Sequence, residues 1–145
     1  MLVFEPTIKG KIFVLVDFDG TITTERDDMH GECFLRPNVR EVLYRLYDTG
    51  KVKFGLWTCR HDGQLRKAET FLMEKGIYHV FEHINGDFKE VVEFYGDTET
   101  CPRKSSADVY FDDRGLLGRE VDWLEFENYI LQCIKDMEGT ENVEV

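Results

Sequence analysis

Short apolar runs alternate along the chain with segments in which apolar residues recur at helical spacing. The first run covers residues 12–16, and such a continuous run is typical of a strand buried on both faces of a parallel sheet. Three further runs predict strands at residues 52–57, 77–81 and 107–111. Amphipathic stretches predict helices from Pro37 to Gly50, from Asp62 to Gly76, and from Trp123 to Met137.

This alternation predicts an α/β fold, namely a Rossmann-like parallel sheet flanked by helices. Residues 85–103 are polar and contain two glycines and a proline, so they predict a long loop with room for one helical turn near Val91. We expect residues 1–137 to form a single domain and the acidic residues 138–145 to form a disordered tail.

The composition narrows the class of protein. With 145 residues, 42% of them apolar, the chain can bury the core of one domain without disulfides or metals. The net charge of −11 repels phosphate backbones, so general nucleic-acid binding is not expected. The four cysteines form no C-x-x-C pair, which indicates free thiols in a reducing compartment. Neither a signal peptide nor a membrane-spanning run is evident, so we expect a soluble, cytoplasmic protein that does not bind membranes.

Polar residues follow three of the four predicted strands. Residues 17–21 (Asp-Phe-Asp-Gly-Thr) follow the first strand, residues 58–60 (Thr-Cys-Arg) the second, and residues 112–114 (Asp-Asp-Arg) the fourth. Because the carboxyl ends of parallel strands meet at one edge of a sheet, we expect four carboxylates, a hydroxyl and two guanidiniums there. Neighbouring carboxylates repel each other unless a cation lies between them, and oxygen ligands combined with a phosphate suit Mg²⁺.

Each of these segments also has an ordinary structural interpretation. Asp-Gly at positions 19–20 is typical of a hairpin turn, the acidic pair at 112–113 of a solvated turn, and Thr58 of a helix cap. An EF-hand loop is excluded, because Gly20 comes too early and Asp28 stands where a bidentate glutamate is needed. The occurrence of all three segments at strand ends favours one site that handles phosphate.

Four short segments resemble the motifs of the haloacid-dehalogenase-like (HAD) superfamily in its phosphatase form. Residues 16–21 resemble motif I, residues 56–58 motif II, Lys104 the motif III lysine, and residues 109–113 motif IV. The Asp-Asp-Arg form of motif IV is similar to that of small bacterial and phage HAD phosphatases and of the 3′-phosphatase domain of polynucleotide kinases. The resemblance implies a Mg²⁺-dependent phosphomonoester hydrolase that works through an aspartyl phosphate.

The resemblance implies a catalytic role for four of the matched residues. Asp17 would attack phosphorus, and Asp19 would protonate the leaving oxygen and then activate water. Thr58 would hydrogen-bond the phosphoryl group, and Lys104 would neutralise its charge. An acid at position 19 favours a phosphatase over a dehalogenase or an ion-pumping ATPase.

The resemblance also implies the metal ligands. Mg²⁺ would be held by Asp17, by the main-chain carbonyl of Asp19 and by Asp112, with Asp113 close by or acting through water. Arg114 is expected to brace this acidic edge.

On the substrate side, Gly20 would let the chain turn tightly and Thr21 would fix that turn. Arg60 would contact the substrate or pair with Asp62 at the surface, and we favour the substrate. No large cap domain fits in the chain, because residues 20–36 hold only a short flap. Such an open site would accept a bulky substrate or take a lid from another subunit of a homo-oligomer.

Three functions therefore remain open. The first is hydrolysis of small phosphomonoesters such as nucleotide or sugar phosphates. The second is removal of a phosphate from the end of a polynucleotide, which the strong negative charge disfavours. The third is a catalytically silent module that only binds phosphate. The joint presence of the residues that one mechanism needs disfavours it: Asp17, Asp19, Thr58, Lys104 and Asp112.

Overall fold

A computed structural model describes residues 4–24, 34–96, 106–113 and 121–143, and within these segments four strands alternate with four helices. A short 3₁₀ turn precedes the third strand. The elements in chain order are β1 Ile12–Asp17, α1 Val39–Asp48, β2 Val52–Trp57, α2 Asp62–Glu74, the 3₁₀ turn Tyr78–Val80, β3 Phe81–Ile84, α3 Lys89–Tyr95, β4 Val109–Phe111 and α4 Trp123–Val143. The predicted α/β, Rossmann-like fold is confirmed.

All four strands are parallel, and their order across the sheet is β3-β2-β1-β4. In the centre, Val16 of β1 pairs with Leu56 of β2 on one side and with Phe111 of β4 on the other. Strands β2 and β3 thus lie on one side of β1, and the chain then crosses back so that β4 pairs with the other side of β1. The carboxyl end of β1 lies at this reversal, which is where open α/β sheets bind ligands.

The two faces of the sheet are covered unequally. Helices α1, α2 and α4 pack on one face, over the side chains of Ile12, Val14 and Val16. On the other face, Phe13 and Leu15 pack against α3. Right-handed crossovers explain the positions of α1, α2 and α3, because a chain that reverses direction across a sheet must place its crossover helix on the opposite face.

One side chain ties the short edge strand β4 to the centre of the sheet. The carboxylate of Asp108 accepts hydrogen bonds from the main-chain N–H of Thr7 at 2.9 Å, from the Thr7 hydroxyl at 2.8 Å, and from the main-chain N–H of Phe13 at 2.9 Å. The main-chain N–H of Asp108 donates to the Phe13 carbonyl at 2.8 Å. These bonds fix where β4 begins relative to β1, and the acidic pair follows this strand after its three residues.

The third strand differs from its prediction. The sequence predicts a strand at residues 77–81, whereas β3 begins at Phe81 and residues 78–80 form a 3₁₀ turn. Ile77, Val80 and Phe81 are buried, and this spacing of three and four residues is that of a helical turn. Because β3 is an edge strand, its sequence needs fewer apolar residues and gives a weaker signal.

Two helices are longer than predicted. Residues 89–95 form α3, of about two turns, where the sequence predicted a loop with a single helical turn. Helix α4, predicted to end at Met137, continues to Val143 and so extends into the segment for which a disordered tail was predicted. Glutamates are good helix formers, and Glu138 pairs with Lys51 at 2.5 Å on the first turn beyond the predicted end. Among the helices of the described segments, none has the length and apolar character needed to span a bilayer.

Candidate functional site

A tight turn follows β1 and carries the segment that resembles motif I. The carbonyl of Phe18 accepts hydrogen bonds from the N–H groups of Thr21, Ile22 and Thr23 at 3.0–3.3 Å, which curls the chain back on itself. Gly20 has a φ of 81°, a left-handed conformation that glycine adopts without a steric penalty. This turn places Asp17 and Asp19 at the same edge of the sheet.

Asp17, the last residue of β1, carries a strongly perturbed carboxyl group. Burial raises its pKa, the charge of Asp113 raises it further, and Asp19 adds a smaller effect of the same sign, to give a pKa of about 6. The Thr21 hydroxyl donates to the Asp17 carboxylate at 3.2 Å and partly offsets these effects. Negative charge is therefore concentrated around Asp17, and a bound cation would relieve it.

Thr58 follows β2 beside Asp17 and is held by a residue that follows β3. The main-chain N–H of Thr58 donates to the side-chain oxygen of Asn85 at 2.8 Å, and the N–H of Asn85 donates to the Leu56 carbonyl at 2.9 Å. Asn85 adopts a left-handed φ of 54°, which asparagine tolerates better than most residues. Thr58 is buried, with 5% exposure, and these hydrogen bonds hold its main chain in place.

Arg60 forms an ion pair with Asp19, a partner that the sequence did not suggest. Its Nε lies 2.9 Å and its Nη2 2.7 Å from the two carboxylate oxygens, which is a two-pronged contact. The guanidinium also lies over the Phe18 ring, 4.9 Å from its centroid, and the N–H of Arg60 donates to the Thr58 hydroxyl oxygen at 3.1 Å. Arg60 therefore links the turn after β1 to the turn after β2.

Two further side chains support the turn after β1 from behind. The indole N–H of Trp123, at the start of α4, donates to the Thr21 carbonyl at 2.8 Å. The Nε of Arg36 donates to the Gly20 carbonyl at 2.7 Å. The sequence analysis assigned neither residue to the site, and no local pattern identifies them, because each reaches the turn through the tertiary fold.

The structure distinguishes the two acids that follow β4. Asp113 is partly buried, and its charge raises the pKa of Asp17, whereas Asp112 is exposed. Of the two acids, Asp113 is therefore the one whose charge acts on Asp17, whereas the sequence analysis gave Asp112 the leading role as a metal ligand. Lys104 and Arg114 lie outside the described residues.

Mg²⁺, which the motif resemblance implies, fits the donors at this edge of the sheet. Within the described segments, no group of three or more His, Cys, Asp or Glu side chains is arranged to hold a metal ion. Mg²⁺ does not require such a group, since it commonly takes one or two carboxylates and completes its shell with waters and substrate phosphates. Asp17 and Asp113 supply two carboxylates whose mutual repulsion a cation would remove. The motif resemblance implies the main-chain carbonyl of Asp19 as a further hard oxygen donor.

The two cysteines of the described segments take no part in this arrangement. Cys59, next to Thr58, is exposed, Cys133 is buried in the core, and both are free thiols. The prediction of free thiols is confirmed for these two.

Neither a protein-family model nor a curated protein matches the chain. Among solved structures, a match is the conserved protein coded by a locus from Bacteroides thetaiotaomicron, with a TM-score of 0.65 and 30% sequence identity. The alignment covers 84% of this chain and 91% of the other. At this identity over nearly the full length of both chains, the chain belongs to the same family as that conserved bacterial protein.

Proposed function

We propose that the chain is a Mg²⁺-dependent phosphomonoester hydrolase of the HAD type, which works through a phosphorylated Asp17. The observation that carries this proposal is the position of Asp17 at the carboxyl end of the central strand, with Thr58 following one neighbouring strand and Asp113 following the end of the other. A nucleophile, a hydroxyl donor and a second carboxylate are the groups that phosphoryl transfer with a metal ion requires.

In the first half of the reaction, a carboxylate oxygen of Asp17 forms a bond to phosphorus while the bond from phosphorus to the leaving oxygen breaks. Asp19, which pairs with Arg60 as a carboxylate, must carry a proton at this stage, and it gives that proton to the leaving oxygen, so the product leaves as an alcohol. In the second half, Asp19 takes a proton from water as the water oxygen attacks phosphorus. The bond to Asp17 then breaks, and inorganic phosphate leaves.

The charge of the site supports this division of roles. A phosphomonoester brings negative charge to an edge where Asp17, Asp19 and Asp113 already lie close together. Bound Mg²⁺ would supply the positive charge that lets the phosphate approach and that stabilises the transition state. The Thr58 hydroxyl can turn its hydrogen toward a phosphoryl oxygen, because that hydroxyl already accepts a hydrogen bond from Arg60 through its oxygen.

The substrates that suit this site best are small phosphomonoesters, such as nucleotide or sugar phosphates. The net charge of −11 works against a polynucleotide, whose many phosphates the surface would repel. The experiment is a panel of phosphorylated compounds assayed for phosphate release, with Mg²⁺ and with a chelator, in the parent protein and in Asp17→Asn. We expect release from several small compounds that requires both Mg²⁺ and Asp17. Phosphate release that persists in the chelator or in the variant would refute the mechanism. A parent protein that turns over none of the compounds would refute the hydrolase and leave the phosphate-binding module as the remaining function.

A further inference from the structure

The Arg60–Asp19 pair is better enclosed than an ordinary surface ion pair. The Arg60 side chain is 10% exposed and that of Asp19 is 21% exposed. Two nitrogens of one guanidinium contact both oxygens of one carboxylate, at 2.7 and 2.9 Å. Such a fork restricts the rotation of the carboxylate as well as its position, which a single hydrogen bond does not. The fork uses one lone pair of each oxygen and leaves the others for the proton that a general acid carries.

Arg60 is itself held by the elements around it. Its Nη1 donates to the Gln64 carbonyl in the first turn of α2 at 3.3 Å, and its guanidinium lies on the Phe18 ring. Its N–H is bonded to the hydroxyl oxygen of Thr58. The Arg60 side chain and main chain are thus held by α2 and by the turn after β2. Through the ion pair, Arg60 in turn fixes the position of the Asp19 carboxylate after β1.

Asp19 needs such support because of where it lies. It sits in the turn that Gly20 permits, two residues beyond the end of β1, so strand pairing does not position its side chain. A general acid must lie within hydrogen-bonding reach of the leaving oxygen, and an error of about 1 Å is enough to cost ~10²-fold in rate.

We propose that Arg60 is the positioning residue that holds the carboxyl group of Asp19 toward the leaving oxygen of the substrate. This inference rests on the proposed function. It replaces the sequence-based expectation that Arg60 contacts the substrate, and the two alternatives predict different kinetics. A residue that acts through Asp19 matters most when the leaving oxygen needs a proton. A residue that binds the phosphoryl group matters equally for every leaving group.

The experiment is a double-mutant cycle in the full chain with Mg²⁺, using Arg60→Met, Asp19→Asn and the double variant. Methionine keeps an apolar stem on the Phe18 ring and removes the fork. The rate of the phosphorylation step is measured by rapid quench on nitrophenyl phosphate, whose leaving group needs no proton, and on glycerol phosphate, whose leaving group does. We expect Arg60→Met to lose at least about tenfold more on glycerol phosphate than on nitrophenyl phosphate. We also expect the double variant to be no slower than Asp19→Asn alone.

Arg36→Met is the matched control, because Arg36 supports the same turn through the Gly20 carbonyl and does not pair with Asp19 in the contacts described above. Its losses should be equal for the two substrates. Equal losses in Arg60→Met, with a raised KM and effects that add to those of Asp19→Asn, would overturn the inference and leave the phosphatase in place. A parent protein that turns over neither substrate would overturn both.

A second variant covers a failure of Arg60→Met to fold. Arg60→Lys keeps the positive charge but cannot form the two-pronged contact. It should show the same preference for nitrophenyl phosphate to a smaller degree, and equal losses on the two substrates in this variant would also overturn the inference.

Discussion

The charge of Asp113, beyond the end of β4, raises the pKa of Asp17, at the end of the neighbouring strand β1. Burial of Asp17 is the larger cause of the raised pKa, and the two effects together bring it to about 6. The protein therefore holds an ionised Asp17 at neutral pH against both desolvation and repulsion. The free-energy cost of ionising Asp17 in the folded state therefore lowers the stability of the fold at neutral pH.

The first prediction concerns stability without metal. Folding raises the pKa of Asp17 from 3.8 to about 6, so the folded state favours the protonated carboxyl group. The stabilisation that this gives is fully present below pH 3.8 and is lost as the pH rises through 6. Asp17→Asn cannot ionise, so it should be more stable than the parent at pH 7.5 by about 1–2 kcal/mol, a value reduced for partial exposure. The difference should shrink toward pH 4. Urea unfolding in a chelator at both pH values measures it, and a variant that is less stable than the parent at pH 7.5 would contradict the raised pKa.

The second prediction separates the two acids after β4. Asp113→Asn should weaken Mg²⁺ binding by at least about tenfold, because it removes the carboxylate that acts on Asp17. Asp112→Asn, the matched control with an exposed side chain, should weaken Mg²⁺ binding less. The readout is the rise in Tm with increasing Mg²⁺, which does not depend on turnover. The opposite ranking of the two variants would restore Asp112 as the principal ligand.

The third prediction concerns Asn85, which holds the main chain of Thr58. Asn85→Ala removes the acceptor for the Thr58 N–H and places a residue with a Cβ and no polar side chain at a φ of 54°. We expect kcat/KM to fall roughly fivefold on aryl and alkyl phosphates alike, since a lost hydrogen bond of this kind is worth about 1 kcal/mol. Asn85→Asp keeps an acceptor and is the control. Unchanged kinetics in Asn85→Ala would show that Thr58 does not depend on this contact.

Much of the fold follows from sequence because the central strands carry a strong pattern. The bounds of β1 and β2 agree with the predicted runs to within a residue, since both strands are buried and mostly apolar. The edge strands β3 and β4 were placed less well, because an edge strand carries a weaker apolar pattern.

The error in β3 had a direct consequence for the site. The rule that chemistry follows the end of a parallel strand located Asp17, Thr58 and Asp113. With β3 ending at Ile84, the same rule identifies Asn85; with the strand predicted to end at Phe81, it does not.

The pairing of Arg60 with Asp19 could not be predicted from the sequence, for a different reason. The two residues are 41 positions apart on separate turns, so their contact depends on side-chain geometry rather than on any periodic pattern.

The fourth prediction concerns substrate size. We expect mononucleotides and other small phosphomonoesters to exceed 3′- or 5′-phosphorylated oligonucleotides in kcat/KM at moderate salt, because a net charge of −11 repels the longer polyanion. Raising the salt concentration should narrow the difference, since it screens that repulsion. An advantage of tenfold or more for the oligonucleotide would instead make the protein a polynucleotide end-phosphatase.

The most direct measurement is the location of the phosphoryl group during turnover. The parent protein and Asp19→Asn are mixed with nitrophenyl phosphate and Mg²⁺, quenched in acid, reduced with borohydride at the acyl phosphate, and mapped by peptide mass spectrometry. The predicted result is modification of Asp17 in both proteins, with more in Asp19→Asn because that variant no longer activates water, and none with a chelator or in Asp17→Asn. Turnover of the parent with the phosphoryl group on another residue, or undiminished turnover in Asp17→Asn, would contradict the assignment of Asp17 as the nucleophile.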